Sequence, residues 1–148
     1  QANYTYIDSD GLPNTFLNGP DLANNSTVAP GGNLPLEQLS KHNINATVFY
    51  EQGPVSVRAA YNWRSRFLLT ASDVIFPFYS IFNEETGQLD GSIFFKLSDE
   101  VQVGVQGVNL LNETTETLQA YTGDANVLAP RSFFTNDRRF SFILRGKF

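Results

Sequence analysis

Cysteine and methionine are both absent from the 148 residues, and histidine and tryptophan occur once each. Without cysteine, no disulfide framework and no thiolate metal site can form, although the compartment is left open. Without methionine at position 1 or elsewhere, the first residue does not read as a translation start, and the expectation is a piece of a longer chain cut or processed upstream. The residues after Gln1 do not read as a charged-then-apolar leader, and no apolar run approaches the roughly 18 to 20 residues that a spanning helix needs. An α-helical membrane protein is excluded on that ground. A membrane β-barrel is not, because its strands need only about 9 to 11 residues and alternate apolar with polar. Positive charge is short as well: 10 Lys and Arg stand against 15 Asp and Glu, for a net charge of −5. No basic stripe exists to replace phosphate counterions, so a nucleic-acid partner is not expected.

Aromatics, by contrast, are plentiful, with 13 Phe and 6 Tyr, while lysine is scarce. A small soluble domain normally keeps a charged surface and few rings. These rings need an apolar medium to face.

Six stretches alternate with period two, the mark of strands with two chemically different faces. The first covers 1–8, with Ala2, Tyr4 and Tyr6 opposite Asn3 and Thr5. The second, about 40–52, sets Ile44, Ala46, Val48 and Tyr50 against Asn43, Asn45, Thr47 and Glu51, with Phe49 breaking the pattern. In the third, about 54–68, Val55, Val57, Ala59, Tyr61 and Trp63 share one face, and Ser56, Arg58, Ala60, Asn62, Arg64 and Arg66 the other. The fourth, about 88–97, and the fifth, from about 100, repeat the pattern around Ile93 and Phe95 and around Val101, Val103 and Val105. The last occupies about 134–148, with Phe140, Phe142, Leu144, Gly146 and Phe148 facing one way and Arg139, Ser141, Arg145 and Lys147 the other.

Connections between these strands alternate in length. Tight turns at Gln52-Gly53-Pro54 and Leu97-Ser98-Asp99-Glu100 contrast with long links at about 9–39, 69–87 and 112–133, expected to be irregular. Short turns at one end and long loops at the other are the habit of outer-membrane barrels, whereas loops beyond about 12 to 15 residues are uncommon in compact soluble domains. The aromatics agree. Trp63, nine residues past Pro54, stands roughly 23 Å above that turn at about 3.3 Å per residue and a tilt near 40°. Tyr50, Phe95 and Phe148 fall at the turn side and Tyr61 and Trp63 at the loop side; with Phe142 they form the expected membrane girdle.

Three separated motifs then carry a family resemblance. The first is Tyr50-Glu51-Gln52-Gly53-Pro54 followed by Ala60-Tyr61-Asn62-Trp63-Arg64-Ser65-Arg66-Phe67-Leu68. The second runs from Gly104 through Val108-Asn109-Leu110-Leu111-Asn112-Glu113, and the third is Asp137-Arg138-Arg139-Phe140-Ser141-Phe142, ending in Phe148. In this order the three resemble the C-terminal barrel region of TonB-dependent outer-membrane receptors, over most of the chain beyond about residue 40. The resemblance implies an all-β, antiparallel up-and-down meander of about six strands, residues 1–148 forming the C-terminal portion of a transmembrane barrel of about 22 strands. Plug domain and N-terminal strands are expected to lie elsewhere. It also implies active uptake of a scarce nutrient, an iron-siderophore or an oligosaccharide, across the outer membrane of a Gram-negative bacterium, energised through TonB. The partners so implied are outer-membrane lipid, the protein's own plug, the TonB complex through the missing N-terminal part, a small-molecule substrate, and the barrel-assembly machinery. Phe140, Phe142, Leu144 and Phe148 resemble the assembly signal which that machinery reads.

Candidate substrate contacts are Arg64 and Arg66, with Arg58 on the same face, and the loop aromatics Phe78, Tyr79 and Tyr121. Guanidinium offers planar multiple donors to anionic or polyhydroxylated groups, and rings in loops can stack on sugars or siderophores. The plainer readings are that the arginines pair with carboxylates of plug or neighbouring strands, and that Phe76, Phe78, Tyr79, Phe82, Tyr121, Phe133 and Phe134 pack loop on loop. Asp73, Glu84, Glu85, Glu113, Glu116 and Asp124 read as a solvated rim with no EF-hand spacing. His42 lacks a motif-bearing serine or cysteine nucleophile, so no enzyme, metal or cofactor is expected. Two rivals remain: a soluble carbohydrate-binding β-sandwich, in which every strand sends one face into a shared dry core, and a barrel hydrolase, which needs a serine partner for His42.

Overall fold

The computed structural model describes residues 1–9, 34–75, 79–120 and 126–147. Within them the chain is all-β with antiparallel pairing and no helix. Its strands are β1 (Ala2–Tyr6), β2 (His42–Gln52), β3 (Val55–Arg64), β4 (Phe67–Thr70), β5 (Ile81–Asn83), β6 (Thr86–Lys96), β7 (Val101–Val108), β8 (Thr114–Ala120), β9 (Leu128–Thr135) and β10 (Arg139–Gly146).

Six of these make one sheet in the order β1-β2-β3-β6-β7-β10, and the other four make a second in the order β4-β5-β8-β9. The second sheet corrects the expectation of six strands joined by irregular loops. What read as one strand over 54–68 is broken at Ser65 and Arg66 into β3 and β4, and the links 69–87 and 112–133 contain β5, β8 and most of β9. The small sheet therefore continues the strand order of the large one, β4 after β3, β5 before β6, β8 after β7 and β9 before β10.

Register turns the period-two pattern into two faces. Tyr50, Val57, Ile93, Val105 and Phe142 lie in one cross-strand row, followed toward the turns by Gln52, Val55, Phe95, Val103 and Leu144. On the opposite face run rows such as Arg58, Ser92, Gln106 and Ser141. Much of the apolar face is bare among the described residues: Phe142 is 87% exposed, Leu144 74% and Val48 71%, while Leu110 folds back over Gly91 and Gly107.

Both short turns have a local cause. Gln52 pairs with Val55 across a two-residue loop in which Gly53 takes φ +57°, a conformation primed hairpin turns demand and glycine adopts without a Cβ penalty. At the β6–β7 turn the Ser98 hydroxyl accepts from the amides of Glu100 and Val101 at 3.2 and 3.1 Å, replacing ladder partners that the reversing backbone lacks.

The core sits in the small sheet. Leu34, Leu68, Ala71, Phe82 and Leu118 form one buried cluster with Leu128 packed against it. The segment that brings Leu34 there is tied down by Gln38, whose amide donates to the Leu68 carbonyl at 2.7 Å, and by Glu37, whose Oε1 accepts from the Ala71 amide at 2.7 Å. Phe82 is thus a core side chain and not an exposed stacking surface.

Candidate functional site

The breaks between the two sheets are where polar side chains take over from backbone ladders. β7 ends as Asn109 turns into the left-handed region at φ +55°, and Asn112 follows at φ +57°. The buried Asn109 carboxamide accepts from the Glu113 amide at 2.8 Å and donates to the carbonyls of Glu113 and Asn136. Two carboxylates complete the joint: Asp90 Oδ1 accepts from the Asn109 amide at 2.9 Å, and Glu113 Oε1 accepts from the Gly87 amide at 3.0 Å. Each bond satisfies a backbone group that the interrupted strand pairing would leave open. Asn tolerates this φ better than most residues, which gives the Val108-Asn109-Leu110-Leu111-Asn112-Glu113 motif a local physical reason.

Beside this joint, on the polar face, lies a cleft of about 300 Å³. Its floor includes Asn43, Asn45, Asn62 and Gln88 and its wall Asn109, Glu113, Thr115 and Asn136. Pairing sets Asn45 opposite Asn62 and Asn62 opposite Gln88, so three carboxamides stand abreast, with Asn3 next to Asn45 on the edge strand. Individual strands showed these residues as polar. Their row was missed because it exists only once the register is known.

Arg64 and Arg66 are not brought to a common ligand surface. Arg64 reaches into the cleft, but its Nε donates to Ser40 Oγ at 2.9 Å, its Nη2 to the Gln38 carbonyl at 3.2 Å, and its guanidinium lies 3.8 Å from the Phe67 ring centre. Arg66 faces a different cleft, beside Leu34 and Lys41, and makes a two-pronged pair with Glu84, Nη2 to Oε2 at 2.8 Å and Nε to Oε1 at 3.2 Å. Tyr79 sits in the β4–β5 connection, where its carbonyl accepts from the Asp73 amide at 3.1 Å. Phe76, Phe78, Tyr121, Asp124 and the terminal Phe148 lie outside the described residues.

The acidic residues are not the uniformly solvated rim expected. Asp73 is buried and bonded to Arg131 at 2.6 Å, with Gln119 at 3.3 Å on the same oxygen. Glu84 and Glu113 are engaged as described above. Among the described residues no group of three His, Cys, Asp or Glu side chains could hold a metal ion.

On the apolar face toward the small sheet, Tyr4, Tyr6 and His42 cluster at the end of β1. The Tyr4 hydroxyl and His42 Nδ1 are 2.8 Å apart, and the Tyr6 ring is 5.3 Å from the imidazole. Lys41 caps this cluster, 5.4 Å from the Tyr6 ring centre and 3.2 Å from Asp8. Its bond to the Asp8 carboxylate, followed by that to the Tyr6 hydroxyl, raises the ammonium above its ordinary pKa. Tyr61 and Trp63 stand farther along the same face on β3, and both lean over Gly87, whose missing side chain leaves room for the Tyr61 hydroxyl and the Trp63 ring. Compared with protein-family models, with curated proteins and with solved structures, the chain matches none.

Proposed function

We propose that the chain is the C-terminal wall of a large outer-membrane β-barrel of the TonB-dependent receptor type, serving uptake of a scarce nutrient such as an iron-siderophore or an oligosaccharide. The observation that carries this reading is the apolar face of the large sheet, continuous across its strands and largely bare of covering protein among the described residues. A membrane supplies the missing apolar phase, because a barrel strand alternates lipid-facing apolar residues with polar ones toward the interior. The edge strands of the large sheet, β1 and β10, which have no further strand beside them among the described residues, fit as well: open edges invite aggregation unless neighbouring strands close them. Plug, TonB complex, assembly machinery and outer-membrane lipid are partners on this reading, and transport requires the rest of the barrel.

The soluble sandwich is the weaker alternative. It would bury the inner face of each strand in a shared core, yet Ile93, Phe142 and Leu144 are exposed and the only buried apolar cluster among the described residues belongs to the small sheet.

Because the chain has no cysteine, single cysteines carrying spin labels provide a direct test in vesicles. Labels at Val57, Ile93, Val105 and Phe142 are expected to collide with lipid-dissolved oxygen. Labels at Asn62, Ser92, Gln106 and Ser141 should meet a water-soluble nickel chelate instead. Equal exposure of both sets to the chelate sinks the reading.

A further inference from the structure

The cleft on the polar face carries a more particular assignment, which rests on the reading that this face lines an aqueous interior. Its chemistry is close to neutral. The charged side chains that line it are Arg64 and Glu113, and both are committed: the guanidinium to Ser40 and Gln38, the carboxylate to the Gly87 amide. What remains for a ligand is the carboxamide row. Asn45 and Asn62 spend no side-chain hydrogen bond on a described protein group, and Gln88 spends only its amide nitrogen, on Asp90.

Each free carboxamide offers two N–H donors and an oxygen with two lone pairs. Directly opposed side chains in an antiparallel sheet are about 4.5 to 5.5 Å apart at Cβ, so donors and acceptors recur along the row at short, regular steps. A hydroxyl also donates and accepts, and a ring bearing several adjacent hydroxyls can satisfy such a row without bringing charge. An anionic metal chelate has the opposite need, for unpaired guanidinium or ammonium groups aimed at its oxygens. The strand next to the cleft wall carries a ring. Phe134 pairs with Thr115, a wall residue, so the two side chains leave the same face, and Phe134 is 56% exposed. A flat apolar surface next to amide donors is suited to a pyranose, whose hydroxyl edges are polar and whose C–H face is not.

We propose that this cleft is a binding subsite for a saccharide unit of a neutral oligosaccharide, with Asn45, Asn62 and Gln88 bonding its hydroxyls and Phe134 stacking on its C–H face.

The test is isothermal titration of the full detergent-solubilised protein with maltohexaose, cellohexaose, xylohexaose and chitohexaose, and with ferric citrate as the anionic comparison. At least one neutral oligosaccharide is expected to bind, and the Asn45→Ala/Asn62→Ala double variant to raise its Kd at least tenfold. Asn62→Gln, which keeps the amide, should retain more affinity than Asn62→Ala, and Phe134→Ala should weaken binding severalfold. Unchanged circular dichroism and heat-modifiable gel mobility establish that each variant is folded. Binding of none of the four saccharides, or undiminished affinity in a folded double variant, overturns the assignment, as does a loss confined to ferric citrate. The membrane reading stands or falls separately, on the spin-label alternation: intact alternation without saccharide binding removes the subsite alone.

Discussion

Leu68, Phe82 and Leu118 in the small sheet, and Ile93 and Phe142 in the large one, are all apolar side chains on antiparallel strands of the same order. Yet the first three are at most 8% exposed and the last two are 51% and 87% exposed. The small sheet makes its own core by laying Leu34 and the following segment over it. The large sheet offers a broader apolar face and, among the described residues, leaves most of it exposed, with Leu110 folding back over Gly91 and Gly107. Hydrophobic burial is proportional to apolar area removed from water, so the small sheet draws stability from within the chain and the large sheet, on the proposed membrane reading, from outside it. The two regions should consequently respond oppositely to mutation and to solvent.

The largest effect is expected where the chain supplies its own core. Phe82→Ala should cost about 3 to 5 kcal/mol in unfolding experiments, the usual range for deleting a buried phenylalanine ring. Hydrogen exchange should place that loss in β4, β5 and β8. Phe142→Ala, on the uncovered face, should be almost silent for a chain in water. A Phe142 variant as damaging in water as the Phe82 variant would mean that another surface covers β10.

Charge on the bare face sharpens the contrast. In vesicles, Phe140→Arg, in the row with Gly107, Gly91 and Ala59 midway between the turn-side Val55 and the loop-side Trp63, should destabilise by about 2 to 4 kcal/mol. Ser141→Arg, one residue away on the polar face, should change stability by less than about 0.5 kcal/mol. Urea titration of the vesicle-inserted protein measures both. Equal tolerance of the two substitutions would contradict a lipid-facing side.

How far this division was readable beforehand depended on strand length. The strands of the large sheet are mostly 8 to 11 residues long, enough for alternation to repeat several times, and their two faces differ sharply in chemistry. In the small sheet, β4 and β5 have four and three residues, too few to establish a period. The others hide theirs. β9 contains Pro130, a residue that argues against a strand on its own, and the pairing slips between Thr117 and Leu118 and again between Leu68 and Thr70, which disrupts period two within these strands. The carboxamide cleft was hidden for another reason. Asn43 and Asn45 belong to one strand, Asn62 to a second and Gln88 to a third, and only the register sets them abreast. Arg66 was visible as a polar-face residue, but its partner Glu84 lies 18 positions away across a break, beyond the reach of any single-strand pattern.

The joint between the regions gives the finest test, because Asn109 serves it in two separable ways. Its carboxamide bonds Glu113 and Asn136, and its backbone holds φ +55°. Asn109→Gly removes the first contribution and keeps the second, since glycine adopts positive φ freely. That variant should cost about 1 to 3 kcal/mol, the range for stranding buried hydrogen-bond partners. Asn109→Ala loses both, and the left-handed conformation adds about 1 to 2 kcal/mol for a residue with a Cβ. Faster exchange at the Glu113 amide is expected in both variants, spreading into β8 while β6 below Gly91 stays protected. A glycine variant as unstable as alanine would show that the backbone conformation contributes nothing; a glycine variant like wild type would show the same of the carboxamide. The first outcome would assign the joint to the carboxamide, and the second would leave it to the Asp90 and Glu113 carboxylates that accept from the Asn109 and Gly87 amides.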